Sequence, residues 1–106
     1  MTPTEFMKRY DNKETFTEYE LHDLFWGNYN KDVNVLVEEE DSFCDEPDRW
    51  NYTKTIVYRF VENDIIRYFA FCGWLGNTEM QENYYNIQPE EVKPIKITTT
   101  YWETVK

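Results

Sequence analysis

The 106-residue chain is poor in the residues that mark loops, metal centres and disulfide frameworks: it has Gly 3, Pro 4, Cys 2 and one His. Scarce glycine and proline predict long elements and few loops. No apolar run approaches the ~20 residues of a membrane span. The N-terminus lacks a basic region followed by an apolar core, so we expect no secretory signal and a cytoplasmic location.

The two cysteines, Cys44 and Cys72, lack the spacing of a zinc site. Cys72 lies in an apolar run, which predicts a buried free thiol. A Cys44–Cys72 disulfide remains an alternative, although a reducing cytoplasm disfavours it.

Motifs that carry catalysis are also missing from the sequence. His22, beside Asp23, has no serine or cysteine motif that could complete a relay. No phosphate loop or dinucleotide fingerprint is present, and the acidic run has no central glycine of an EF-hand. We therefore expect no enzyme, no cofactor and no dedicated metal site. An enzyme would need a pocket with strongly perturbed carboxylates.

Acidic residues, in contrast, are abundant, and the formal net charge is −10. Residues 1–53 hold 14 Asp/Glu against 5 Lys/Arg, whereas residues 54–106 hold 7 against 6. Such a charge repels nucleic acid and acidic membranes and attracts basic surfaces. The basic residues of the second half are expected to balance nearby acids on exposed strand positions rather than to bind phosphate.

The charge is densest in residues 38–48, EEEDSFCDEPD, of which seven are acidic and none is basic. We predict a loop here. One interpretation is a solvated loop that maintains solubility. The other is a binding surface whose carboxylates replace phosphates in a basic protein groove, with Phe43 and Trp50 as aromatic anchors. The candidate partner-binding residues are Glu38, Glu39, Glu40, Asp41, Phe43, Asp45, Glu46, Asp48 and Trp50.

Two helices are predicted in the N-terminal part. Thr2-Pro3-Thr4-Glu5 is typical of a cap and capping box, and a helix to about Tyr10 follows. Thr17-Glu18-Tyr19-Glu20 repeats the box, and Gly27 is placed to end this second helix. Glu18, Glu20 and Asp23 could extend the acidic surface.

Four antiparallel strands are predicted after the helices. Val33, Val35 and Val37 indicate the first, and Tyr52–Val61 and Ile65–Trp74 form a hairpin around Asn63-Asp64. This register places Tyr58 opposite Phe69 and Ile56 opposite Phe71. A helical turn is predicted from Thr78 to about Tyr85, and a last strand runs from Ile95 to Trp102. The expected fold is a single α+β domain over residues 1–106, a two-layer sandwich with both helices on one face of the sheet.

Several segments resemble small acidic proteins encoded by phages, prophages and mobile elements of Gram-positive bacteria. They are Phe16-Thr-Glu-x-Glu-Leu-His22 with Phe25-Trp26-Gly27, Arg67-Tyr68-Phe69 with Trp74 and Gly76, and Thr78-Glu79-x-Gln81-Glu82-Asn83-x-Tyr85-x-x-Gln88-Pro89-x-Glu91-Val92. The resemblance covers most of the chain apart from the acidic run. It implies an inhibitor of host defence, notably of the anti-CRISPR kind that occupies nucleic-acid channels of Cas nucleases.

The leading hypothesis is thus an inhibitor that blocks the basic nucleic-acid groove of a Cas nuclease or restriction enzyme, without binding nucleic acid or membrane itself. The alternative is a structural or accessory phage protein that acts as a homodimer through sheet edges or aromatic faces.

Overall fold

The computed structural model describes residues 1–44, 51–76 and 83–95. Their elements are α1 (Pro3–Asp11), α2 (Glu18–Phe25), β1 (Leu36–Cys44), β2 (Asn51–Glu62), β3 (Ile65–Gly76) and β4 (Glu90–Val92). The strands form one antiparallel sheet in the order β1-β2-β3-β4. The predicted α+β class with two helices and four antiparallel strands is confirmed. No helix in these ranges is long and apolar enough to cross a membrane.

Both helices begin where the capping patterns predict. The Thr17 hydroxyl accepts a hydrogen bond from the backbone N–H of Glu20 at 3.2 Å, and the Glu20 carboxylate accepts one from the N–H of Thr17 at 3.0 Å. Thr2 accepts from the N–H of Glu5 at 3.1 Å, but the Glu5 carboxylate takes the Thr2 hydroxyl instead of its N–H, so this box is half formed. After α2, Gly27 adopts φ +70°, the left-handed conformation in which glycine commonly follows a helix.

The central hairpin has the predicted register. Tyr58 lies opposite Phe69 and Ile56 lies opposite Phe71, with Asn63-Asp64 at the tip. Asn63 takes φ +54°, a conformation that asparagine tolerates better than most residues. Because opposite residues of paired strands share a face of the sheet, this register puts four large side chains on the face that carries the helices.

Phe6 of α1 is the centre of the core and is fully buried. Its ring centroid lies 4.9 Å from that of Phe69, 5.4 Å from that of Phe71 and 5.5 Å from that of Phe60. On α2, Leu21, Leu24 and Phe25 are buried in the same cluster. Both helices therefore pack on one face of the sheet, as predicted.

Arg67 of β3 links the end of α1 to β4, the last strand in the order of the sheet. Its guanidinium lies 2.8 Å from a carboxylate oxygen of Asp11, at the end of α1, and 2.8 Å from one of Glu91 in β4. These charge-assisted hydrogen bonds raise the pKa of Arg67 and lower the pKa of both carboxyl groups. Arg67 is thus one of the basic residues that balances nearby acids, as expected.

The first strand is present and includes Val37, but its bounds differ from the prediction, and the prediction of a loop at residues 38–44 was wrong. The strand begins at Leu36, after Val33 and Val35, and runs to Cys44, so the acidic residues 38–41 lie in β1 and not in a loop. Acidic residues are disfavoured in strands by propensity, but β1 is at the edge of the sheet, where solvent reaches the side chains. Residues 45–50 of the predicted loop lie outside the described residues.

The fourth strand also differs from the prediction. It is formed by Glu90–Val92, which pairs with Tyr68–Ala70, whereas Ile95 is not in a strand. Residues 96–102 of the predicted last strand lie outside the described ranges, as do residues 78–82 of the predicted helical turn. The rest of that turn is not helical, since Tyr84 forms an antiparallel bridge with Trp74.

Both cysteines are free, so the alternative of a Cys44–Cys72 disulfide is not realised. Cys72 is half-buried rather than fully buried, and its Sγ lies 3.2 Å from the hydroxyl of Thr55 on β2. Cys44, at the end of β1, is exposed.

Candidate partner-binding surface

The acidic residues of β1 occupy an edge of the sheet. Among the described strands, β1 has a neighbour, β2, on one side only. The side chains of Glu38, Glu39, Glu40 and Asp41 are all exposed. An edge strand presents unpaired backbone groups that invite association with other chains, and charged side chains are one of the ways in which proteins prevent it.

A β-bulge divides the acidic run. Glu39 lies opposite Tyr58 and Asp41 lies opposite Val57, so Glu40 is the extra residue between them. A bulge bends an edge strand and redirects its side chains, which also discourages pairing with another sheet. Both the bulge and the charges thus keep this edge free of further strands.

A cation on the neighbouring strand pairs with the acidic residues of β1. Arg59 of β2, opposite Glu38, forms an ion pair with the Glu38 carboxylate, and its Nε lies 3.9 Å from a carboxylate oxygen of Glu40. These carboxylates raise the pKa of Arg59. Within the described part of the chain, neither Glu39 nor Asp41 forms an ion pair. Four consecutive carboxylates therefore share a single guanidinium and keep an excess of negative charge.

Glu39 faces the other side of the sheet, next to the hydroxyl-bearing ring of Tyr58. Burial raises the pKa of Tyr58 to about 12, and the charge of Glu39 contributes to the same shift. The Tyr58 hydroxyl donates a hydrogen bond to the backbone carbonyl of Phe25 at 2.8 Å. The neutral tyrosine therefore anchors the end of α2 beneath the acidic strand.

The spacing of the carboxylates is close to that of phosphates in nucleic acid. A strand advances about 3.3 Å per residue, and a single strand of DNA carries one charge per roughly 3.4 Å of helix axis. Residues Glu38–Asp41 thus carry one charge per residue at a linear density close to that of one DNA strand. Glu38 and Asp41 lie on the face of the sheet opposite the helices and Glu39 lies on the other face, so the match is in density and not in shape.

Phe43, predicted as an aromatic anchor, lies on the same strand as the carboxylates. Its side chain is 54% exposed, and its position opposite Thr55 places it on the same face as Glu38 and Arg59. The structure therefore brings together five of the predicted site residues, Glu38–Asp41 and Phe43, along one strand. The others, Asp45, Glu46, Asp48 and Trp50, lie outside the described residues.

The carboxylates of α2 do not extend this surface. Glu20 binds the guanidinium of Arg9 and the N–H of Thr17, which together lower the pKa of Glu20 to about 2. Glu18 and Asp23 line a separate groove with Tyr85. That groove lies next to the bridge between Tyr84 and β3, on the side of the sheet away from β1.

His22 does not belong to a catalytic arrangement in the described residues. It is exposed, lies 3.3 Å from the Asp23 carboxylate and meets the Tyr85 ring edge-on at 4.9 Å. No serine hydroxyl or thiol in the described ranges hydrogen-bonds to it. Nor do these ranges contain a group of three or more His, Cys, Asp or Glu residues placed to hold a metal ion.

The sequence interpretation missed a second exposed surface, the face of the sheet opposite the helices, which we call the open face. It consists of the odd-numbered residues of β2 from Thr53 to Val61, the even-numbered residues of β3 from Ile66 to Trp74, and Leu36, Glu38, Asp41 and Phe43 of β1. The sequence of β3, IIRYFAFCGWLG, could have indicated this surface, because both its odd-numbered and its even-numbered positions are mostly apolar. That pattern is typical of a strand covered on both faces.

Comparison with known proteins adds no relative. The chain matches no protein-family model, and neither a curated protein nor a solved structure matches it.

Proposed function

We propose that this protein is a non-enzymatic inhibitor, encoded by a phage or prophage, that binds a basic nucleic-acid groove of a host defence enzyme. A CRISPR nuclease is the first candidate and a restriction enzyme the second. The observation that carries the proposal is the row of four exposed carboxylates on the edge strand β1, with Arg59 as its ion-pair partner among the described residues.

Electrostatics supports a role in association. A net charge of −10 steers the chain towards basic surfaces and raises the rate of encounter. Lysine and arginine side chains that line a nucleic-acid channel would meet a density of carboxylates close to that of phosphates. Phe43, exposed on the same strand, supplies the apolar contact that interfaces use as an anchor.

The position of the acidic residues favours this function over solubility alone. A solvated loop can carry charge without any fixed geometry, whereas β1 is held by hydrogen bonds to β2 over eight aligned residue pairs. The carboxylates are thereby pre-organised, which reduces the entropy lost when a partner binds. Charges that protect an edge from aggregation have the same location, and the inhibition assay below separates the two roles.

The experiment is a DNA-cleavage assay with purified Cas nucleases and restriction enzymes and increasing amounts of the protein. We expect inhibition by the wild type, and loss of it in the variant Glu38→Gln, Glu39→Gln, Glu40→Gln, Asp41→Asn, whose fold is checked by circular dichroism. The matched control removes the same number of charges elsewhere, through Glu18→Gln, Asp23→Asn, Glu62→Gln and Asp64→Asn, and should inhibit normally. Full inhibition by the β1 variant would sink the proposal.

A second candidate function is that of an accessory phage protein that works as a homodimer. The observation in its favour is the open face, whose side chains include exposed Leu36, Ile66 and Trp74.

A further inference from the structure

The β-bulge in β1 changes which acidic side chains share a face of the sheet. In a regular strand successive side chains point to opposite faces, so the four acids at residues 38–41 would be divided equally, two on each face. Glu40 is an extra residue, however, and alternation restarts after it. As a result, Asp41 and Phe43 lie on the open face with Glu38. Glu39 is left on the face that carries the helices, which we call the helix face.

Side-chain contacts place Glu40 on the open face as well. Arg59 belongs to the open face, and its Nε lies 3.9 Å from a carboxylate oxygen of Glu40. Glu40 and Asp41 also line the same trough in that face. The charge of Glu39, in contrast, contributes to the raised pKa of Tyr58, a residue of the helix face. The bulge therefore brings three of the four carboxylates to one side of β1.

The trough crosses the open face from β1 to β4 and has a volume of about 200 Å³. Its lining combines apolar side chains with charged ones: Glu40, Asp41, Val57, Tyr68, Val92, Lys93 and Pro94. Long basic side chains suit such a site, because the stem packs on apolar groups while the charged head reaches the carboxylates. A guanidinium or ammonium group is also attracted to the face of a tyrosine ring.

The balance of charge differs between the two sides of β1. The eight aligned pairs of β1 and β2, together with Glu40, hold Glu38, Glu40, Asp41 and Arg59 on the open face, and Glu39 and Lys54 on the helix face. Three carboxylates against one guanidinium leave an excess of two negative charges on the open face, whereas the two charges of the helix face cancel. At the far side of the trough the charges of Glu90 and Lys93 also cancel.

We propose that the basic partner docks on the open-face side of β1. Glu38, Glu40 and Asp41 bind its cations, and the trough takes a lysine or arginine side chain. Glu39 takes no part, and Phe43 contacts the partner from the same side. This inference rests on the proposed function and names the face and the carboxylates that carry it. Protection of the edge requires charge on β1 but does not require three carboxylates on one side, so the bulge favours binding.

A fluorescently labelled nona-arginine peptide tests the docking face without a host enzyme. Its affinity is measured by anisotropy at low salt. The variant Glu40→Gln, Asp41→Asn should bind about ten-fold more weakly, or roughly three-fold for each lost ion pair. The matched control Glu39→Gln, Glu62→Gln removes the same charge from the helix face, since Glu62 lies opposite Ile65. It should weaken binding by less than about two-fold, because only unpaired long-range attraction is lost.

A second variant moves a charge without changing the net charge of −10. Asp41→Asn, Ser42→Asp transfers one carboxylate to the helix face, because Ser42 lies opposite Ile56. It should weaken peptide binding about three-fold, with circular dichroism to confirm the fold.

Three results would overturn the proposal: a wild type that does not bind the peptide, equal losses in the two paired variants, and wild-type affinity in the variant with the moved charge. The inhibition assay decides the proposed function separately. A wild type that inhibits no enzyme but shows the expected peptide pattern would contradict that function and support the docking face.

Discussion

The two faces of the sheet are built by the same strands and differ in what covers them. On the helix face, alternate residues of β2 and β3 are buried under Phe6 and α2, in a continuous aromatic core. On the open face the intervening residues are also largely apolar but remain half-exposed or exposed. Stability therefore resides on one face, while in the described part of the chain the other face and the acidic edge stay partly or fully exposed.

The largest expected effect comes from a matched pair of phenylalanines. Phe6→Ala should lower the free energy of unfolding by about 3–5 kcal/mol, because it removes a fully buried ring at the centre of the core. Phe43→Ala should change it by less than about 0.5 kcal/mol, since more than half of that side chain is exposed. Urea denaturation followed by circular dichroism measures both. Equal losses would contradict the division between the faces.

A smaller effect is expected where α2 meets the sheet. Gly27→Ala should cost about 1–2 kcal/mol because the left-handed φ of +70° disfavours any side chain. A Cβ there would also lie 3.2 Å from the Tyr58 hydroxyl oxygen, which is tight but not prohibitive. Thermal unfolding of the variant checks this. An unchanged melting temperature would show that the turn after α2 is not held in this conformation.

The smallest effect concerns acid and the helix layer. Arg9 and the Thr17 N–H lower the pKa of Glu20 to about 2, from an ordinary value near 4.5. This carboxylate therefore contributes stability above pH ~4.5 that is lost as the pH falls through about 2. Because about a third of the side chain is exposed, we expect no more than ~1 kcal/mol. Comparing the acid unfolding of the wild type with that of Glu20→Gln isolates the contribution of the Glu20 carboxylate to stability. Identical pH profiles would contradict such a contribution.

Local signals predicted the scaffold well. Threonine caps placed both helices, glycine placed the end of α2, and the Asn63-Asp64 turn fixed the register of β2 and β3 to the residue. These features depend on residues that are close together in the sequence, so the amino-acid sequence alone predicts them.

The acidic strand could not be predicted in the same way. Four consecutive acids argue against a strand by propensity, and only pairing with β2 makes residues 38–41 extended. The acidic loop is thus a failed prediction in which tertiary structure overrides local preference. The residues proposed for binding were nevertheless found from charge alone, and the structure changes their setting from a loop to a strand edge with a bulge.

The central claim is that the carboxylates of β1 bind a basic groove. Its most direct test is competition with fluorescently labelled DNA for the DNA channel of a Cas9-type nuclease, read by anisotropy across a series of salt concentrations. We predict that the wild type and the variant carrying Glu18→Gln, Asp23→Asn, Glu62→Gln and Asp64→Asn displace DNA, with an affinity that falls steeply as salt rises. The variant neutralised at residues 38–41 should lose both the affinity and most of its salt dependence. Displacement by that variant with the affinity and salt dependence of the wild type would contradict the account.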